Sequence, residues 1–107
     1  MAILNLKDND GFLLKNQTSD ITTADFYVGD GGAKAIHVFG TFGGGTVSIE
    51  GTTTGLAADA SPLTDSTGST INFSVPSIQS IDRYPIGVVY RAKLTGSTAP
   101  DISVKLV

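Results

Sequence analysis

His37 is the single histidine of this 107-residue chain, so any Ser-His-Asp triad or histidine-based metal site has to pass through it. It sits in the alternating run Ala35-Ile36-His37-Val38-Phe39, which marks it as an ordinary strand residue. No Gly-x-Ser-x-Gly elbow is present to supply an activated serine. The glycines at Gly43-Gly44-Gly45 and Gly29-Asp30-Gly31-Gly32 share their small size with phosphate loops, but such loops open a helix and usually end in Gly-Lys-Ser/Thr. A strand pattern follows the triple glycine, so it reads as a turn.

Asp8 and Asp10 beside Gly11 begin like a calcium loop, yet the remaining oxygen ligands and the closing glutamate are missing at the required spacing. The carboxylates available for glycoside chemistry are Asp59, Asp65, Asp82 and Asp101, with Glu50 the sole glutamate, and no two stand in a recognisable context. The chemistry-bearing residues therefore point to a protein that is not an enzyme and has no cofactor or metal.

The elements that would position these residues are β-strands. Gly 13 among many Thr and Ser, with 16% charged residues, suits short strands joined by tight turns, because glycine supplies positive φ and threonine fits a pleated surface. One domain of this length can bury one core with 40% apolar residues. The formal charge of −3 excludes the basic face that nucleic acid requires. No apolar run approaches the roughly 20 residues of a membrane helix. The start Met-Ala-Ile-Leu-Asn-Leu-Lys-Asp has neither the basic opening nor the long apolar stretch of a signal peptide, and the absence of cysteine fits folding in a reducing cytoplasm.

Along the chain, Ala2 to Leu6 alternates before the break Asp8-Asn9-Asp10-Gly11, and Phe12 to Leu14 resumes as a short strand. Phe26-Tyr27-Val28 follows a polar loop and precedes the glycine-rich turn at Gly29. Lys34 to Phe42 sets Ile36, Val38, Gly40 and Phe42 on one face and Ala35, His37, Phe39 and Thr41 on the other. With Gly43-Gly44-Gly45 as the turn and Val47 and Ile49 alternating beyond it, the run Ile36 to Glu50 reads as a hairpin. Gly51 to Ser69 is the longest weakly patterned segment and reads as a loop. Ile71, Phe73 and Val75 form a strand that stops at Pro76, and Ser77 to Pro85 reads as a connection or a short helical turn. Gly87 to Thr95 and Ile102 to Val107 read as a second hairpin. About eight short strands without a helix predict an all-β fold, a single antiparallel β-sandwich of jelly-roll or immunoglobulin-like type.

Arg91, Lys93 and Lys105 are expected on corresponding outer faces of the last two strands, as a positive stripe for an acidic partner subunit or as a solvated face that protects an edge. Phe39 and Val89 are the apolar residues on outward positions, suited to a further layer or a subunit interface.

The run Ile36 to Glu50, with Gly40-Thr41-Phe42-Gly43-Gly44, followed by Pro62-Leu63, Tyr90-Arg91-Ala92 and Thr95-Gly96 to Leu106, resembles small β-sandwich virion proteins of tailed bacteriophages. The resemblance covers Ile36 to Val107, about two thirds of the chain, without the tryptophan often found before Pro-Leu. It implies a capsid decoration or cement protein, made in the host cytoplasm and placed on the capsid surface of the virion. The implied partner is the major capsid protein, and the implied oligomer is a homotrimer at local three-fold positions. Residues 1–10 then become a possible N-terminal arm on a neighbour, and Gly51 to Ser69 a segment that orders on the lattice. A receptor- or glycan-binding module of a tail or head fibre, or a head-tail or tail accessory protein, is the alternative within the same virion class. The scarcity of aromatic residues, with no tryptophan, weighs against sugar stacking.

Overall fold

Period-two alternation fixes which side chains leave water. Ile36 and Val38, Val47 and Ile49, and Ile102 and Val104 are all fully buried, each burial contributing about 1.5–3 kcal/mol. Their strands form two stacked sheets in a computed structural model that describes residues 3–28, 34–65, 67–81 and 88–106. Among the described residues there are ten strands: β1 Ile3–Asn5, β2 Phe12–Gln17, β3 Phe26–Val28, β4 Lys34–Thr41, β5 Thr46–Thr52, β6 Ser61–Pro62, β7 Asn72–Phe73, β8 Ser77–Ile81, β9 Val89–Thr95 and β10 Asp101–Leu106. Two 3₁₀ turns, Leu6–Asn9 and Ala57–Asp59, complete the regular structure.

The first sheet runs β1-β3-β9-β5-β6, with β7 also on β5, and the second runs β2-β10-β4-β8. Setting aside β1 and β7, the chain crosses between the sheets at every connection but β5 to β6. Each sheet holds four strands in the order of an eight-stranded jelly roll. The expected β-sandwich is present, and this order separates the two topologies that alternation leaves open.

Both expected hairpins are corrected. β4 pairs with β10 and β8, whereas β5 pairs with β9, β6 and β7, so Gly43-Gly44-Gly45 carries the chain from one sheet to the other. β9 and β10 likewise lie in opposite sheets. The two crossovers stack: Thr98 donates its amide to the Gly43 carbonyl at 2.9 Å, and a Cβ on Gly43, whose φ is +59°, would lie 2.1 Å from the Thr98 carbonyl oxygen. Alternation says which side a residue faces but not which strand lies beside it, and the same pattern serves a hairpin or a crossover.

A third correction concerns Ser77 to Pro85. Pro76 is followed at once by β8, an edge strand antiparallel to β4 from Val38↔Ser77 to Lys34↔Ile81. Its isoleucines, three apart, suggest helical spacing although the backbone is extended. The glycine-rich turn at Gly29 and the end of the Ser77 to Pro85 segment lie outside the described residues.

Of the segment read as an arm, Ile3–Asn5 pair in parallel with β3 and Leu6 is buried. Asn9 donates to the Phe12 carbonyl at 2.7 Å and Asp10 adopts the left-handed conformation, so the expected break is a capped 3₁₀ turn. The stretch from Gly51 to Ser69 is held along β5 by Leu63, whose amide donates to the Ile49 carbonyl at 2.8 Å.

Candidate docking face

The two sheets turn very different outer faces to their surroundings. On the β2-β10-β4-β8 sheet, Ile36 and Val38 point inward, so His37 and Phe39 point out. The antiparallel register sets Lys105 opposite His37 on one side and opposite Phe12 on the other. On the far side of β4, Ile78 lies opposite His37. Four strands thus bring Phe12, Lys105, His37, Phe39 and Ile78 to one surface.

The aromatic rings are in mutual contact. Phe12 and Phe39 meet edge to face with centroids 6.4 Å apart, and His37 lies 4.7 Å from Phe39. Such pairs contribute about 0.5–1.5 kcal/mol each beyond their burial. The ammonium groups of Lys15 and Lys105 each stand 5.2 Å from the centre of the Phe12 ring, close enough for cation–π attraction. Neither lysine forms an ion pair among the described residues. Ile78, 70% exposed, ends this surface as its most open apolar side chain. Backbone irregularity at β2 helps aim Lys15: the β2–β10 register shifts twice, Asn16 has φ +49°, and its amide donates to Ser103 Oγ at 3.0 Å.

The other outer face is closed. Tyr27 is opposite Tyr90 on the core side, so Phe26, Val89 and Arg91 lie on the outer side of the β1-β3-β9-β5-β6 sheet, and all three are buried. Glu50 stands across from Arg91 in the β5–β9 register and accepts from its Nε at 2.5 Å. The guanidinium also lies 4.6 Å from the Phe26 ring centre, and its Nη1 donates to the Ala24 carbonyl at 3.5 Å. Lys93, half-buried, reaches the second oxygen of the same carboxylate at 3.5 Å.

The expected positive stripe is therefore corrected. Because β9 and β10 belong to different sheets, Arg91 and Lys93 face one side of the sandwich and Lys105 the other. Arg91 and Lys93 are occupied by Glu50, and Val89 is covered by its own chain. Of the five residues singled out from sequence, Phe39 and Lys105 come together on the open face. Phe12, Lys15, His37 and Ile78 join them. Phe12 could have been found from its place before the buried pair Leu13-Leu14, whereas Ile78 was hidden by the misread β8.

No family model, no curated protein and no solved structure matches this chain. The site has to be read from its own geometry. Among the described residues no group of three or more His, Cys, Asp or Glu side chains could hold a metal ion. Asp65 accepts from the amides of Thr67 and Ser69 and from the Thr67 hydroxyl, which hold its carboxyl below the usual range. Asp59 accepts from the Thr54 hydroxyl at 2.7 Å. Asp82 lies outside the described residues.

Asp20 performs a related tying function at the end of the sandwich where the two crossovers stack. It accepts from the amides of Gly96 and Ser97 and from the Ser97 hydroxyl, and the Ser97 bonds foremost lower its pKa. The β2–β3 connection is thereby fastened to the β9–β10 crossover, which stiffens the frame that carries the open face.

Proposed function

We propose that this chain is a non-enzymatic virion structural protein of the tailed-phage type, a capsid decoration protein that docks on the major capsid lattice. The observation that carries the reading is the open face of the β2-β10-β4-β8 sheet, where Phe12, Phe39 and Ile78 offer apolar contact and Lys15 and Lys105 offer positive charge. Apolar side chains interleaved with positive charge suit a protein surface, and the two lysines select one that is acidic. The resemblance over Ile36 to Val107 supports the virion setting. The jelly-roll order supports it by analogy alone, since that architecture also builds capsid domains.

A docking face this small holds weakly by itself. Repetition over a lattice converts weak contacts into firm retention, because each further contact in an assembly is made at high effective concentration. The test is the copy number of the chain in purified particles, measured by quantitative mass spectrometry. Decoration predicts a number comparable with that of the major capsid subunits, and particles lacking the chain should open at a lower temperature. A number matching a single vertex or tail would contradict the proposal.

A further inference from the structure

The four sheet edges are not equally guarded. β1 is a three-residue strand, and β6 and β7 have two residues each, with Pro62 in β6 unable to donate a backbone hydrogen bond. β2 is interrupted by its register shifts and the positive φ of Asn16, and it carries the charge of Lys15. Short strands, prolines, bulges and lysines are the devices by which edges escape pairing with another chain. β8 has none of them. Its sequence Ser-Ile-Gln-Ser-Ile is uncharged, its five residues keep one unbroken register on β4, and β4 is its only strand partner among the described residues.

We infer that β8 is a pairing edge and that its occupant is β8 of a second copy of this chain, joined antiparallel about a two-fold axis. An uncharged strand with an unbroken register can meet its own copy without like-charge repulsion, and the placement of charge favours this edge over the open face for that contact. Stacking two open faces would set Lys15 and Lys105 of one copy against the same lysines of the other. Edge pairing instead brings together two uncharged strands. Lys105 lies on β10, two strands in from the edge, and at about 4.8 Å per strand the two Lys105 residues stand about 24 Å apart. That exceeds the screening length of about 8 Å at physiological salt. Because the contact is isologous it closes on itself, and the fused sheet has eight strands, an ordinary size.

The pairing leaves both open faces on the same side of the fused sheet, with Ile78 of each copy near the junction. It also differs from the three-fold arrangement that the family resemblance implies. It stands independently of the decoration reading, because it is measured on the isolated chain.

The test is sedimentation equilibrium of the full chain over a concentration series, together with amide hydrogen exchange at the lowest and highest concentrations. The expected mass rises from 11.0 kDa toward twice that value, with added protection within Ser77–Ile81 at high concentration. Ile78→Lys places like charges beside each other at the junction and should weaken the dimer by about 10-fold or more. It should leave the melting temperature of the monomer unchanged, because Ile78 is 70% exposed. Ile3→Lys, on the opposite sheet, should leave the dimer intact. A monomer up to about 1 mM, a trimer, or a dimer that gains no protection in β8 would overturn the inference. Should Ile78→Lys fail to fold, the exchange pattern of the unaltered chain decides.

Discussion

The outer faces of the two sheets are built from the same alternating pattern and end in opposite states. On one, Arg91 is 6% exposed beneath its pairing with Glu50 and its contact with Phe26; on the other, Phe12 and Phe39 share their surface with an isoleucine 70% exposed and with lysines that form no ion pair among the described residues. A charged residue at an outward strand position thus need not be a surface charge. Where a carboxylate stands directly across the ladder and an aromatic ring lies beneath, the cation is neutralised within the fold. Where no acid lies in register, as for Lys105 between Phe12 and His37, the cation rests against an aromatic ring instead.

The largest expected effect comes from breaking the closed face. Arg91→Ala leaves the half-buried Glu50 with only Lys93 at 3.5 Å and strips the guanidinium from the Phe26 ring, and should destabilise the chain by about 3 kcal/mol or more in urea unfolding. The double change Arg91→Met with Glu50→Leu removes both charges and should recover most of that loss. Full recovery by the double variant would mean that the pair confers no net stability, even though breaking it is costly.

The next effect tests whether the two faces belong to strands joined by crossovers. Gly43→Ala combines a φ of +59° with a Cβ 2.1 Å from the Thr98 carbonyl oxygen and should cost about 3 kcal/mol. Gly44→Ala meets open space at a φ of +79° and should cost only about 1 kcal/mol. Equal losses in thermal unfolding would remove the stacking of the two crossovers from the account.

On the open face, Phe39→Ala should cost about 1 kcal/mol of stability through the lost ring contacts. Its retention on particles should fall far more than that small change explains. The smallest effect is a matter of pH. Asp20 has its folded pKa held below the unfolded carboxylate value, so its contribution is present above about pH 3.9 and is lost as pH falls through the lower folded value. Asp20→Asn should lower the melting temperature slightly at neutral pH, and the gap to the unaltered chain should close as pH falls below about 4.

Much of the fold was legible because alternation reports burial directly. Ile36, Val38, Val47, Ile49, Tyr90, Ala92, Leu94, Ile102, Val104 and Leu106 all face the core as their spacing predicts. Pairing was not legible. A two-residue Asn-Gly loop would have forced a hairpin, but Gly43-Gly44-Gly45 and the five-residue turn at Gly96 are long enough to cross between sheets. That single ambiguity put Arg91, Lys93 and Lys105 on one imagined stripe, when the sandwich separates them. β8 was not legible because its two isoleucines stand three apart, a spacing that suits a helical turn as well as a strand. Two of the six residues of the open face, Phe39 and Lys105, were therefore visible, and its most exposed apolar member, Ile78, was not.

The most direct measurement of the central claim is hydroxyl-radical footprinting of the free chain and of purified particles that contain it. The account predicts that Phe12, Phe39 and Ile78 are labelled in the free chain and shielded on the particle, while Phe26 resists labelling in both. Equal labelling of Phe39 and Ile78 in the two states, or strong labelling of Phe26 in the free chain, would contradict it.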